Sequence, residues 1–146
     1  MTTNWILVAN ASTARIYSNN GPKKGLKLVK ELNHPESRQK SSDLVSDRPG
    51  HMQGFGNGHG SRQPATTPKE YEIEKFAQEI AKELDHGRTT NDFSRLIVVA
   101  SSPFIGTLNG RLSGHVRDMV SDSLEKDYTK ATPKELASHL EPCIYL

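Results

Sequence analysis

The chain has 146 residues, 34% apolar, 25% charged and 6% aromatic, with a formal net charge of +2. That length supports one compact domain rather than two, and the low apolar share implies a small core or a long stretch held outside it. The longest apolar runs, Trp5 to Ala9 and Leu96 to Ala100, fall far short of the roughly 20 residues of a membrane helix, which excludes a helical span.

Met1 to Asn4 carries no basic side chain, and the apolar run stops at Ala9. A secretion signal needs a basic start and roughly 7 to 15 apolar residues, so the expected location is cytoplasmic. The one cysteine, Cys143, can form neither an intrachain disulfide nor a thiolate zinc site alone. Nineteen Lys and Arg against seventeen Asp and Glu is too even a balance to imply nucleic acid without local clustering.

Trp5-Ile6-Leu7-Val8-Ala9 is bulky and partly β-branched, as in a buried strand. After the turn residues Asn10 to Thr13, Ala14-Arg15-Ile16-Tyr17-Ser18 alternates, and Asn19-Asn20-Gly21-Pro22 breaks the chain. Leu26 to Leu32 places Leu26, Leu28 and Leu32 on one face with lysines opposite. The opening therefore reads as a three-stranded meander.

The segment 33–67 is different material, with only Leu44, Val45, Met52, Phe55 and Ala65 as apolar side chains. Too little apolar surface is available to offset the entropy of ordering it, so it reads as a flexible loop in the absence of a partner. Its centre, Gly50 to Gly60, holds five of the chain's eleven glycines.

Thr67-Pro68-Lys69-Glu70 is a capping box with proline at the first helical position. Ile73, Phe76, Ala77, Ile80, Ala81 and Leu84 then form one apolar stripe, which predicts a helix from Pro68 to Asp85. His86-Gly87 supplies the expected stop. Phe93 to Ala100 reads as a strand covered on both faces. Ser102-Pro103 starts a helix reaching Leu112, Met119 to Leu124 is a further strand, and Thr132-Pro133-Lys134-Glu135 opens a last short helix with Leu136 and Leu140. The order β-β-β-α-β-α-β-α over residues 1–146 predicts a single α/β domain: a mixed sheet of ribonuclease H-like topology with a long Gly-rich loop.

A nuclease of that topology would need carboxylates converging on metal ions. Here the first strand ends in Asn10 and the fourth in Ser101-Ser102, while Glu72, Glu74 and Glu79, interspersed with Lys75 and Lys82, read as a solvated helix face. Gly54, Gly56, Gly58 and Gly60 alternate, so no phosphate-binding fingerprint fits, and no G-x-S-x-G elbow occurs. His34, His51 and His59 lie beside Asp43 and Asp47, but their loose spacing suits exposed loop residues better than metal ligands. Cys143 reads as a packing residue. No catalytic residue, cofactor or metal is expected.

The loop carries a charge bias. Arg38, Lys40, Arg48, Arg62 and Lys69 outnumber Glu36, Asp43 and Asp47. Mobile, cationic, glycine-rich segments hold phosphate backbones, although a merely soluble charged linker has the same composition, and Phe55 is the one aromatic available for stacking. The candidate binding loop comprises Arg48, His51, Gln53, Gly54, Gly56, Gly58, His59, Gly60, Arg62 and Gln63.

Trp5 to Ala9 with Ala14-Arg15, His34-Pro35, Ser46-Asp47-Arg48-Pro49-Gly50, Phe76-Ala77, Leu96 to Ala100 and Lys126-Asp127-Tyr128-Thr129 together resemble the bacterial host attachment protein family. The resemblance covers nearly the whole chain and rests on the order of these fragments. Asn10 stands where the family commonly has an acidic residue, and Ser101-Ser102 where it often has prolines. The resemblance implies a binding protein acting in attachment to host cells, with an unknown protein or a host-surface component as partner. The family also resembles the central domain of archaeal and eukaryotic peptide release factors, where a loop before the long helix carries a Gly-Gly-Gln tip. Gly54 to Gln63 occupies the equivalent place, but Gly60-Ser61-Arg62-Gln63 is not that tip. The alternative implied is a ribosome- or tRNA-binding protein acting through this loop, with peptidyl-tRNA hydrolysis as its furthest extension.

Overall fold

The computed structural model describes residues 3–35, 67–144 and 146. Strands β1 (Asn4–Ala9), β2 (Thr13–Asn19) and β3 (Lys27–Asn33) come first. Helix α1 (Pro68–Thr89), β4 (Arg95–Ala100), α2 (Ser102–Asn109), the single turn α3 (Gly114–Arg117), β5 (Val120–Glu125) and α4 (Pro133–His139) complete the described residues. They build one five-stranded sheet in the order β3-β2-β1-β4-β5. The first three strands form the expected antiparallel meander, and β4 and β5 add in parallel to β1.

Strand alternation sorts the core onto two faces. Trp5, Leu7, Leu96 and Val98 point toward α1, α2 and α3, where they meet Phe76, Ile80, Leu84, Phe104 and Val116. Ile6, Val8, Ile97 and Val99 point the other way, under Leu136, Leu140, Ile144 and Leu146. Both central strands are thus apolar throughout because both their faces are covered.

Three expectations need correction. In β3, Ile16 pairs with Lys30 and Tyr17 with Leu28, so Val29 is an extra, bulged residue. The bulge shifts the alternation: Leu32 packs on the α1 face, Leu26 on the α4 face, and Leu28 is 50% exposed. The single apolar face expected for this strand does not exist. Helix α1 does not stop at Gly87 but continues to Thr89. Gly87 serves packing instead, since a Cβ there would lie 2.6 Å from Trp5 Cζ3 and 3.1 Å from Phe93 Cε1, and these two rings stack with centroids 4.6 Å apart. The helix expected to reach Leu112 ends at Asn109, and α3 follows as a separate turn capped by Ser113.

Candidate functional site

The parallel register Ala9↔Ala100 ends β1 and β4 level with each other. The chain leaves β1 toward β2 and β3 on one side, whereas β5 extends the sheet from β4 on the other. Sheets of this kind bind ligands at such a divide, beyond the carboxyl ends of the strands. Here a cleft of about 340 Å³ opens there, lined by Asn10, Ser12, Ser101, Ile73, Pro103 and Phe104. A shallower groove shares Ile73 and Pro103 and adds Glu70, Glu74 and Thr107.

Asn10 organises this end. Its Oδ1 accepts the backbone N–H groups of Ser12 and Thr13, both at 2.9 Å, which closes the β1–β2 turn. Its Nδ2 donates to Asp127 Oδ2 at 3.1 Å and Thr129 Oγ1 at 3.2 Å, tying the turn to the segment after β5. Burial raises the Asp127 carboxyl pKa. Hydrogen bonds from the Thr129 hydroxyl and N–H and from Asn10, with the charge of Lys130, outweigh that and hold it below the usual aspartate range.

Beside the cleft lies a polar cluster that the sequence reading placed in solvent. His34 and Glu72 are both buried, at 7% and 6% exposure. His34 Nε2 is 2.9 Å from Glu72 Oε1, and Nδ1 is 3.6 Å from Glu79 Oε1. The imidazole stacks on Phe76, which in turn stacks on Phe104 at the cleft wall. The expectation of an exposed loop histidine and a solvated Glu72 is therefore wrong for these two residues. Glu72 precedes Phe76, Ile80 and Leu84 at successive four-residue steps, so its place on the buried stripe was readable from spacing. Nothing comparable in the sequence marked His34.

Both roots of the segment 36–66 stand at this end. The His34 N–H donates to the Ser12 carbonyl at 2.7 Å. Thr67 Oγ1 accepts the Glu70 N–H at 3.1 Å, while Glu70 Oε1 accepts the Thr67 N–H at 2.9 Å, the expected capping box. The candidate loop residues Arg48, His51, Gln53, Gly54, Gly56, Gly58, His59, Gly60, Arg62 and Gln63 lie outside the described residues.

Among the described residues, no three of His, Cys, Asp and Glu are grouped to hold a metal. Ser12 Oγ donates to Asn10 Oδ1 and Ser113 Oγ to Asp85 Oδ1, both at 3.3 Å, so neither of these hydroxyls is directed at a base by a histidine. The Cys143 thiol is pushed above its usual pKa by burial and by Asp122, against the opposing charge of Arg95; it is a poor nucleophile at neutral pH. No helix among the described residues is long and apolar enough to cross a membrane.

Comparison with known proteins then adds a family. Residues 5–140 match the family described as "Protein required for attachment to host cells". No curated protein matches the chain. Among solved structures, one described as "Archaeal protein" is similar at 14% identity and a TM-score of 0.51, covering 97% of this chain and 34% of its own. The crystal structure of the archaeal translation termination factor aRF1 is similar at 13% identity and a TM-score of 0.46, covering 83% of this chain and 29% of its own. The chain thus spans about a third of the length of these neighbours. With the family match running from β1 through α4, the chain belongs to the family of proteins required for attachment to host cells.

Proposed function

We propose that the chain is a non-enzymatic binding protein acting in bacterial attachment to host cells, on a domain of ribonuclease H-like topology. The observation that carries this reading is the family match over residues 5–140. Two features support a binding rather than a catalytic role. At the carboxyl-end cleft Asn10 uses both ends of its amide on the chain itself, and the Ser12 hydroxyl donates to Asn10. The segment rooted beside that cleft is glycine-rich and carries four Arg and Lys against three Asp and Glu, with Arg48, His51, Gln53, the glycines 54, 56, 58 and 60, His59, Arg62 and Gln63 as the contact surface. Its partner is a protein or another host-surface component. Host-cell adherence of a strain lacking the gene is the test: a clear loss, restored by the wild-type chain, supports the reading. Unchanged adherence refutes it.

A second reading has one observation in its favour, the presence of Arg48 and Arg62 among closely spaced glycines just ahead of a capped helix. In that reading the loop binds ribosomes or tRNA, with Arg48 and Arg62 on phosphates. Co-sedimentation with ribosomes that is lost as salt rises, and lost in the Arg48→Ala, Arg62→Ala pair, would favour it. A chain that stays in the supernatant at low salt removes it.

A further inference from the structure

The β2–β3 hairpin loop lies at the opposite end of the sheet from the cleft, since Asn19 pairs with Asn4 at the start of β1. Residues 22–30 carry Lys23, Lys24, Lys27 and Lys30 and no acid. Every residue of this stretch except Leu26 is exposed. Leu28 and Val29, on the edge strand of the sheet, are 50% and 47% exposed. The buried Asn19 holds the loop in place. Its Nδ2 donates to the Gly21 and Gly25 carbonyls at 3.0 and 2.8 Å, and its Oδ1 accepts the Gly21 N–H at 3.1 Å. The lysines therefore stand on a fixed turn.

The charges here do not cancel. Lys30 is taken up by Glu83 at 2.9 Å, and the neighbouring Glu31 by Arg15 at 2.8 Å. Lys23, Lys24 and Lys27 pair with no carboxylate among the described residues. Leu146, whose oxygen accepts the Gly25 N–H at 3.1 Å, brings at most one negative charge against these three, which leaves a surplus of two. Lys23 also stands in left-handed backbone, with φ 62°, where glycine would be less strained. Lysines on an edge strand discourage strand pairing, but that purpose needs neither lysines in the loop nor two exposed apolar side chains beside them. A soluble polyanion would answer the charge and leave Leu28 and Val29 in water. An anionic bilayer answers both, with headgroups for the lysines and acyl chains for the apolar pair.

We propose that the β2–β3 loop and the outer edge of β3 dock the domain onto an anionic phospholipid surface. Lys23, Lys24 and Lys27 contact the headgroups, while Leu28 and Val29 enter the boundary between headgroups and acyl chains. Strand β3 meets the surface edge-on, which brings side chains of both its faces to the lipid. Three lysines and two apolar side chains give a weak, reversible association, because stable anchoring takes stronger signals. The site lies apart from the 36–66 segment and is independent of the attachment reading, so either can fail alone.

The test is co-sedimentation of the full chain with vesicles of phosphatidylserine and phosphatidylcholine in equal parts, against vesicles of phosphatidylcholine alone. Binding to the mixed vesicles should weaken as salt rises, and binding to the neutral ones should be at least about tenfold weaker. Each lysine at an anionic surface is worth about fivefold in affinity, so Lys23→Gly with Lys24→Ala should weaken binding about 25-fold. Glycine suits the left-handed backbone at this position, so that variant stays folded, which circular dichroism checks. Leu28→Ser with Val29→Ser should weaken binding about tenfold through the lost apolar burial. The pair Lys75→Ala, Lys134→Ala, exposed on α1 and α4, should bind as wild type. Absence of binding to the mixed vesicles at low salt, or equal loss in this control pair, overturns the proposal. Heparin binding as tight as vesicle binding, with no effect of the Leu28→Ser, Val29→Ser pair on either, assigns the patch to soluble polyanions and overturns it as well.

Discussion

The two ends of helix α1 are fastened by opposite chemistry. At its start, Thr67 and Glu70 cap each other, and one turn on, the buried Glu72 meets His34 from the end of β3. At its finish, Gly87 lies against the stacked rings of Trp5 and Phe93 with no room for a methyl group. The apolar end is simple framework: close packing fixes the distance between helix and sheet. The polar end is costlier to build, because buried polar groups must each find a hydrogen-bond partner. It is also the end that holds the carboxyl-end cleft and both roots of the 36–66 segment. The contrast separates the part of the molecule that sets its shape from the part where the proposed contact is rooted.

The sharpest way to break this contrast is Glu72→Ala. Removing Glu72 deletes the carboxylate 2.9 Å from the buried His34 ring, and a loss of about 3 kcal/mol in urea unfolding is expected. Gly87→Ala attacks the apolar end. Its methyl would overlap the Trp5 ring, and overpacking outweighs the better helix propensity of alanine, for a net loss of about 2 kcal/mol.

Asn10→Asp sharpens the comparison through pH. The new carboxylate keeps its bonds from Ser12 and Thr13 but turns a donor facing Asp127 into a like charge. Destabilisation of about 1 kcal/mol is expected at neutral pH, where both acids are ionised. It should shrink on acidification, because the new pair raises a carboxyl pKa and a shared proton restores the lost donor. In the wild type the sign is opposite. Asp127 has a depressed pKa, so its contribution is present above the ordinary aspartate value and is lost as pH falls through the folded-state value. Thermal melts of both proteins between neutral pH and about pH 3 distinguish the two, a range spanning the ordinary aspartate value. The smallest effect belongs to Thr67→Ala, which removes the exposed α1 cap at a cost of about 0.5 kcal/mol.

Much of the frame was legible in the residues. Trp5 to Ala9 and Leu96 to Ala100 are apolar without interruption, and both form central strands. Thr67-Pro68-Lys69-Glu70 and Thr132-Pro133-Lys134-Glu135 both form complete capping boxes. What escaped depended on tertiary contact. The bulge at Val29 is a matter of register between two strands, which composition does not encode. Gly87 looked like a stop because glycine ends many helices, yet the ring that excludes a side chain there comes from the other end of the domain. Asn10 read as a lost carboxylate, although its amide supplies donors that a carboxylate could not. The cationic loop residues, from Arg48 to Gln63, remain a reading of the sequence.

The central claim is that the segment rooted at the polar end makes the contact, while the apolar end only supports it. Host-cell adherence decides this, measured in a strain lacking the gene and complemented at matched protein levels with wild type, with Arg48→Ala, Arg62→Ala, or with Gly87→Ala. The account predicts that the arginine pair loses most adherence and that the glycine variant retains it. Adherence by the arginine pair equal to wild type would contradict the claim.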